Sequence, residues 1–168
     1  MSQIALLEGD ATSAETLAKA ASEVFAATKR PDDEATATAV LARSLLASDK
    51  YAESARAIQR AENLSAKSSD RSVRLSVAIT SASVRGRGDA TQSLKDLDAV
   101  IKEAHGAKLV QLELEARLAL AEIEIATARF QAGRRDLEAL EMEASKKGYK
   151  YIASRAAAAK KKIPAVTV

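Results

Sequence analysis

One pattern recurs along this chain: a break in the apolar spacing, a small residue five positions later, then apolar residues at helical intervals. The break falls at Gly9, Asp49, Gly88 and Ala128, and the small residue at Ala14, Ser54, Ser93 and Gly133. The inward positions that follow are Ala18, Ile58, Leu97 and Leu137, then Ala21, Ala61, Val100 and Leu140. All four series step by 40, 39 and 40 residues. A period of that length with a helix on each side of the break marks stacked helical repeats, whose units bury their apolar faces only against one another. The stretch 41–61 is the clearest copy. Leu41 and Leu45 share one helix face and Ala42 lets a neighbouring helix approach. Asp49-Lys50 interrupts the pattern in a turn, and Ile58 and Ala61 continue a second face.

The residue usage supports helices. The 168 residues include 38 alanines against 6 glycines and 2 prolines, and alanine is the best helix former. No stretch sustains the alternation of a strand. The expected fold is all-α, a right-handed α-α superhelix of antiparallel helix pairs with a period near 40 residues. One domain is expected, in units of about 1–31, 32–69, 70–106 and 107–148, closed by a capping helix at 149–162. Met1 falls in the middle of a first helix in this frame, which predicts that the chain is a piece of something longer. Thr12 or Ser13 is expected to cap the helix over 10–29, and Asp89 or Thr91 the helix that ends at His105-Gly106. Gly148 is the expected residue after the helix over 131–147.

Leu41-Ala42, Leu45, Tyr51, Ser54, Ile58 and Ala61 resemble the tetratricopeptide repeat (TPR) pattern. Leu120-Ala121-Glu122-Ile123 through Phe130, Gly133 and Leu137 resemble another copy. The resemblance covers roughly 1–148. The whole run is also similar to the TPR-type region that ends some bacterial multidomain serine/threonine kinases. The repeat here exceeds the usual length of about 34 residues, so the second helix of each pair is expected to be about a turn and a half longer. Most of the family's bulky aromatics are replaced by Leu and Ala, and 73–84 fits the first-helix pattern poorly.

Several function classes are set aside by what the sequence carries. The chain has no cysteine, hence no disulfide or thiolate metal site. No apolar run approaches the roughly 18 residues of a membrane span. The first residues lack the basic and long apolar stretches of a signal peptide, so a cytoplasmic location is expected. A net charge of +3 with acids and bases interspersed argues against nucleic acid. The single histidine, His105, reads as a helix-end cap, where a protonated imidazole is favourable. Arg87-Gly88-Asp89 reads as a turn, and Asn63-Leu64-Ser65 as part of a helix. Glu113, Glu115, Glu122 and Glu124 read as surface or interface charges. No nucleophile elbow, phosphate loop or zinc-protease motif occurs, so no enzyme activity and no cofactor are expected.

The resemblance implies a protein or peptide partner bound in a groove lined by the first helices of the pairs, here 32–48, 71–85 and 108–127. The polar residues on them that packing does not need are Arg43, Arg74, Arg85, Glu115 and Glu122. The family's lysine and asparagine clamp for a C-terminal carboxylate is not carried over, because Ala39 and Arg43 occupy such positions. Two other readings stand beside this one. Ile4, Leu6 and Leu7, with the apolar helix over 108–127, motivate self-association into a homodimer through the N-terminal end. The similarity to kinase tails motivates a regulatory extension of a signalling enzyme.

Overall fold

The computed structural model describes residues 10–164, and within them every regular element is a helix. The helices are α1 (Ala11–Ala27), α2 (Pro31–Ala47), α3 (Tyr51–Ser65), α4 (Arg71–Arg85), α5 (Ala90–Gly106), α6 (Val110–Ala126), α7 (Phe130–Lys146) and α8 (Lys150–Lys160). Their first residues lie 20 positions apart, with one step of 19 between α4 and α5. The elementary repeat is therefore one helix and its link, and the period near 40 is two of these. Ile4, Leu6 and Leu7, and the helix expected to contain Met1, lie outside the described residues.

The regular spacing comes from a shared link. Lys29, Asp49, Lys108, Ala128 and Gly148 take φ values of 54°, 58°, 58°, 61° and 83°. The next residue's N–H then donates to a carbonyl five positions back: Arg30 to Phe25, Lys50 to Leu45, Leu109 to Ala104, Arg129 to Glu124 and Tyr149 to Ala144, at 2.8–2.9 Å. That bond satisfies a carbonyl the helix end would otherwise leave open and reverses the chain in three residues. Gly148 suits this conformation, as its sequence position implied. The other four positions carry side chains there, at a cost of about 1 kcal/mol each. The helix expected to end at His105-Gly106 does end there. Gly106 is the last residue of α5, and Lys108 takes the left-handed place.

At the helix starts, Asp10 rather than Thr12 or Ser13 caps α1, accepting the Ser13 N–H at 2.9 Å. Its bonds from Ser13 hold the Asp10 carboxyl below its ordinary value. Asp89 caps α5 in the same way, accepting from Gln92 N–H at 3.0 Å. The expected lengthening of second helices does not occur. The second helices α3, α5 and α7 have 15, 17 and 17 residues and the first helices α2, α4 and α6 have 17, 15 and 17. Both members of a pair share the extra length, and five of the links use the same short reversal.

The chain divides into two compact units, Met1–Arg85 and Gly86–Val168. In the first, α1 packs on α2, α2 on α3, α3 on α4, and α2 also on α4. Ala35, Ala39, Ala42, Ile58, Ala61 and Val77 form its core. Four of these six are alanines, so the helices meet at close range. The register of α4 is clear from burial. Leu75, Val77, Ile79 and Ala82 sit where Ala35, Ala37, Ala39 and Ala42 sit in α2, and all are buried. The missing residue of the period therefore falls after that core stretch and before α5.

In the second unit α5 packs on α6, α6 on α7, α7 on α8, and α6 also on α8. Its core is larger-grained, with Leu114, Leu118, Leu137, Leu140 and Ile152 among the buried residues. The alanine face of α8 (Ala153, Ala156, Ala159) lies against the same cluster.

Candidate functional site

The five groove candidates fall in both units, three in the first and two in the second. Arg43 is half-buried on α2 and has an interaction partner of its own. Arg74 folds back, donating from its guanidinium to the Ser68 carbonyl at 2.7 Å and so closing the link before α4. Arg85 is exposed and pairs with Glu62 at 2.6 Å; the other oxygen of Glu62 accepts from the Ser81 hydroxyl at 2.6 Å. In the second unit, Glu115 accepts from the Gln111 side-chain amide at 2.9 Å, one turn away. Glu122 pairs with Arg155 of α8 at 2.6 Å, and Arg155 lies 6.0 Å from the centre of the Tyr151 ring. Four of the five thus have identified partners, and those of Arg74, Arg85 and Glu122 lie outside the candidate's own helix.

His105 is well exposed in the last turn of α5, with Nδ1 3.1 Å from the Glu113 carboxylate. Among the described residues no cluster of three or more His, Asp or Glu is placed to hold a metal ion. Among the same residues no helix is long and apolar enough to cross a membrane.

The second unit contains a feature that the sequence reading passed over. α5, α6 and α7 enclose an open cavity of about 420 Å³. Its apolar walls include Leu94 and Ile101 of α5 and Leu120 of α6, and its charged lining is Asp98, Arg117, Glu124, Arg129 and Asp136. Glu124 is only 8% exposed, and its Oε2 is buried without a hydrogen-bond partner. Burial pushes its carboxyl above the ordinary value of 4.5, and the charge of Asp136 adds to this. Arg129 and Arg135 pull the other way without cancelling it. Unlike an interface or surface charge, Glu124 sits in the packed layer between helices. It lies two residues beyond Glu122, so the two point to opposite sides of α6 at 100° per residue.

The remaining charges of the lining are partly spoken for. Arg117 donates to Glu143 at 2.5 Å, and Lys147 joins the same carboxylate at 2.8 Å. These bonds, Lys147 first and Arg117 next, hold the Glu143 carboxyl below its ordinary value. Asp136 pairs with Arg135 at 3.0 Å. The signal that could have found Glu124 is the repeat itself. An offset of 79 residues relates Ala35 to Leu114, Ala42 to Ala121 and Ser54 to Gly133, and the same offset relates Leu45 to Glu124. Leu45 is 6% exposed, so the first copy fills this buried position with an apolar side chain.

No protein-family model and no curated protein sequence matches the chain. Among solved structures it is similar to the nearly identical TPR-like repeats of a Podosopora anserina protein described as a kinesin light chain. The TM-score is 0.58 at 18% identity, covering 96% of this chain and 84% of that one. The likeness shows the fold: this is an all-α helical-repeat chain of the TPR-like, α-solenoid class.

Proposed function

We propose that the chain is a non-catalytic protein-interaction module that docks a peptide or a partner helix without chemistry. The observation that carries this reading is the TPR-like fold itself, built from helices packed on their neighbours in sequence. Such a framework holds side chains in fixed array along successive helices, which is what a preformed docking surface requires. Arg43, Arg74 and Arg85 in the first unit and Glu115 and Glu122 in the second are the proposed contacts on the first helices. A cytoplasmic setting and a place in a larger signalling protein, such as the tail of a kinase, belong to the same proposal. The test is a pull-down with the whole chain from lysate of its source, read by mass spectrometry. A partner lost on reversing Arg43 and Arg85 to Glu, with the helical circular-dichroism signal intact, supports the reading. Recovery of nothing but the chain itself contradicts it.

One observation favours self-association as a second reading. α1 exposes Leu17 and Val24, at 41% and 58%, two turns apart on one face. A second copy covering that face would make the chain a dimer. Light scattering on a dilute sample decides it, and a clean monomer removes the idea.

A further inference from the structure

We infer that the cavity between α5, α6 and α7 is a receptor for a guanidinium group, the arginine side chain of a partner peptide, with Glu124 as its buried acceptor. The inference deepens the interaction-module reading and rests on it for the nature of the ligand.

Three observations lead to it. The first is the orphaned carboxylate. A buried acceptor without a donor is costly, and folded proteins rarely keep one unless something else supplies the partner. Glu124 keeps Oε2 unpartnered even though Arg129 lines the same cavity. Burial outweighs the Arg129 charge, which lowers the Glu124 carboxyl, and no hydrogen bond reaches Oε2. The second is the repeat. Leu45 at the equivalent place in the first unit is buried equally well, so packing does not demand an acid there. Residues that break a local rule in one copy of a repeat, where another copy obeys it, mark function before stability.

The third is the shape and charge of the surroundings. The carboxylates descend from exposed Asp98 through half-buried Asp136 to buried Glu124. With Arg117 engaged by Glu143 and Asp136 by Arg135, Asp98 and Glu124 stand against Arg129, leaving the lining negative. Leu94, Ile101 and Leu120 supply apolar walls for an aliphatic stem. A volume of about 420 Å³ takes a side chain together with the backbone around it. Arginine fits better than lysine, because its planar fork carries five donors and loses less on leaving water than a compact ammonium does.

The test is an NMR titration of the full chain with the blocked tripeptide acetyl-Ala-Arg-Ala-amide, and with the same peptide carrying citrulline, which keeps the shape and lacks the charge. Saturable shifts at the amides of Leu94, Asp98, Leu120 and Asp136 are expected with arginine and not with citrulline. Glu124→Gln is expected to weaken binding about tenfold, the scale of one charge-assisted hydrogen bond. Exposed Asp98→Asn should weaken it severalfold and guards against a misfolded Glu124 variant; Glu138→Gln, on the outside of α7, should leave it unchanged. Equal response to citrulline, shifts that avoid the cavity, or indifference to both Glu124→Gln and Asp98→Asn would overturn the assignment. Those outcomes leave the module reading intact, whereas an empty pull-down sinks that reading without touching the titration.

Discussion

The two units are built on one plan and differ in how they treat the same buried corner. In the first unit the corner holds Leu45, a hydrogen bond of 2.8 Å between Ser22 and Thr38, and an ion pair of 2.9 Å between Lys50 and Glu15. Every polar group there has a partner. An offset of 79 residues turns these into Glu124, Ile101, Arg117, Arg129 and Leu94. The exchange leaves one carboxylate oxygen orphaned and a cavity beside it. Repeats let the comparison isolate function from folding. What both units share, such as buried Ile58 and Leu137, serves packing; what only one carries asks for another explanation.

The comparison can be broken or sharpened by exchanging residues between units. The largest effect is expected from Leu45→Glu, which puts an unpaired charge where an apolar side chain is now buried. It should lower stability by about 3–5 kcal/mol in urea melts. A loss below about 1 kcal/mol would mean that the corner tolerates a carboxylate in either unit, and the contrast would vanish.

Gly133→Ser comes next. At the matching place Ser54 fits, donating to the Ala42 carbonyl at 2.8 Å. In the second unit a Cβ on Gly133 would stand 2.9 Å from Ile125 Cγ1 and 3.2 Å from the Ala121 carbonyl oxygen. The overpacked variant should lose about 1–3 kcal/mol, less the gain from replacing a helical glycine. Unchanged melting would show that α6 and α7 can separate freely.

A smaller effect is set by pH. Glu124 holds its proton more tightly folded than unfolded, since burial raises its carboxyl above the ordinary 4.5. Its contribution is fully present below pH 4.5 and is lost as pH rises through the folded value. Glu124→Gln should therefore flatten the stability curve above pH 4.5 relative to the parent chain. Parallel curves for the two proteins would place the carboxylate in water.

The smallest is at a link. Ala128 holds φ at 61° with a side chain that disfavours it, and Ala128→Gly should raise stability by about 1 kcal/mol. The same change at Gly148, in reverse to Ala, should lower it by a similar amount.

The helices were legible because apolar spacing and alanine content speak directly to a 3.6-residue period. Their ends were less so. Asp49 and Ala128 fall at breaks that the repeat marks, but Lys29, Lys108 and Ala128 do not by residue type favour the left-handed turn they take. Glu124 was hidden for a different reason. Four glutamates on α6 look alike in sequence, and only the register of the helix against α5 and α7 buries one of them. Arg74, Arg85, Glu115 and Glu122 were visible as charges, while their partners Ser68, Glu62, Gln111 and Arg155 were not, because most of these contacts join separate segments.

The most direct test is to give the second unit the first unit's residue. Glu124→Leu removes the orphaned carboxylate, so the variant should melt higher, by about 1–3 kcal/mol of stability, and should no longer retain in a pull-down the partner that the parent chain captures. A variant that is more stable and binds that partner as before would show that the acid is a packing defect, and that recognition lies elsewhere on the chain.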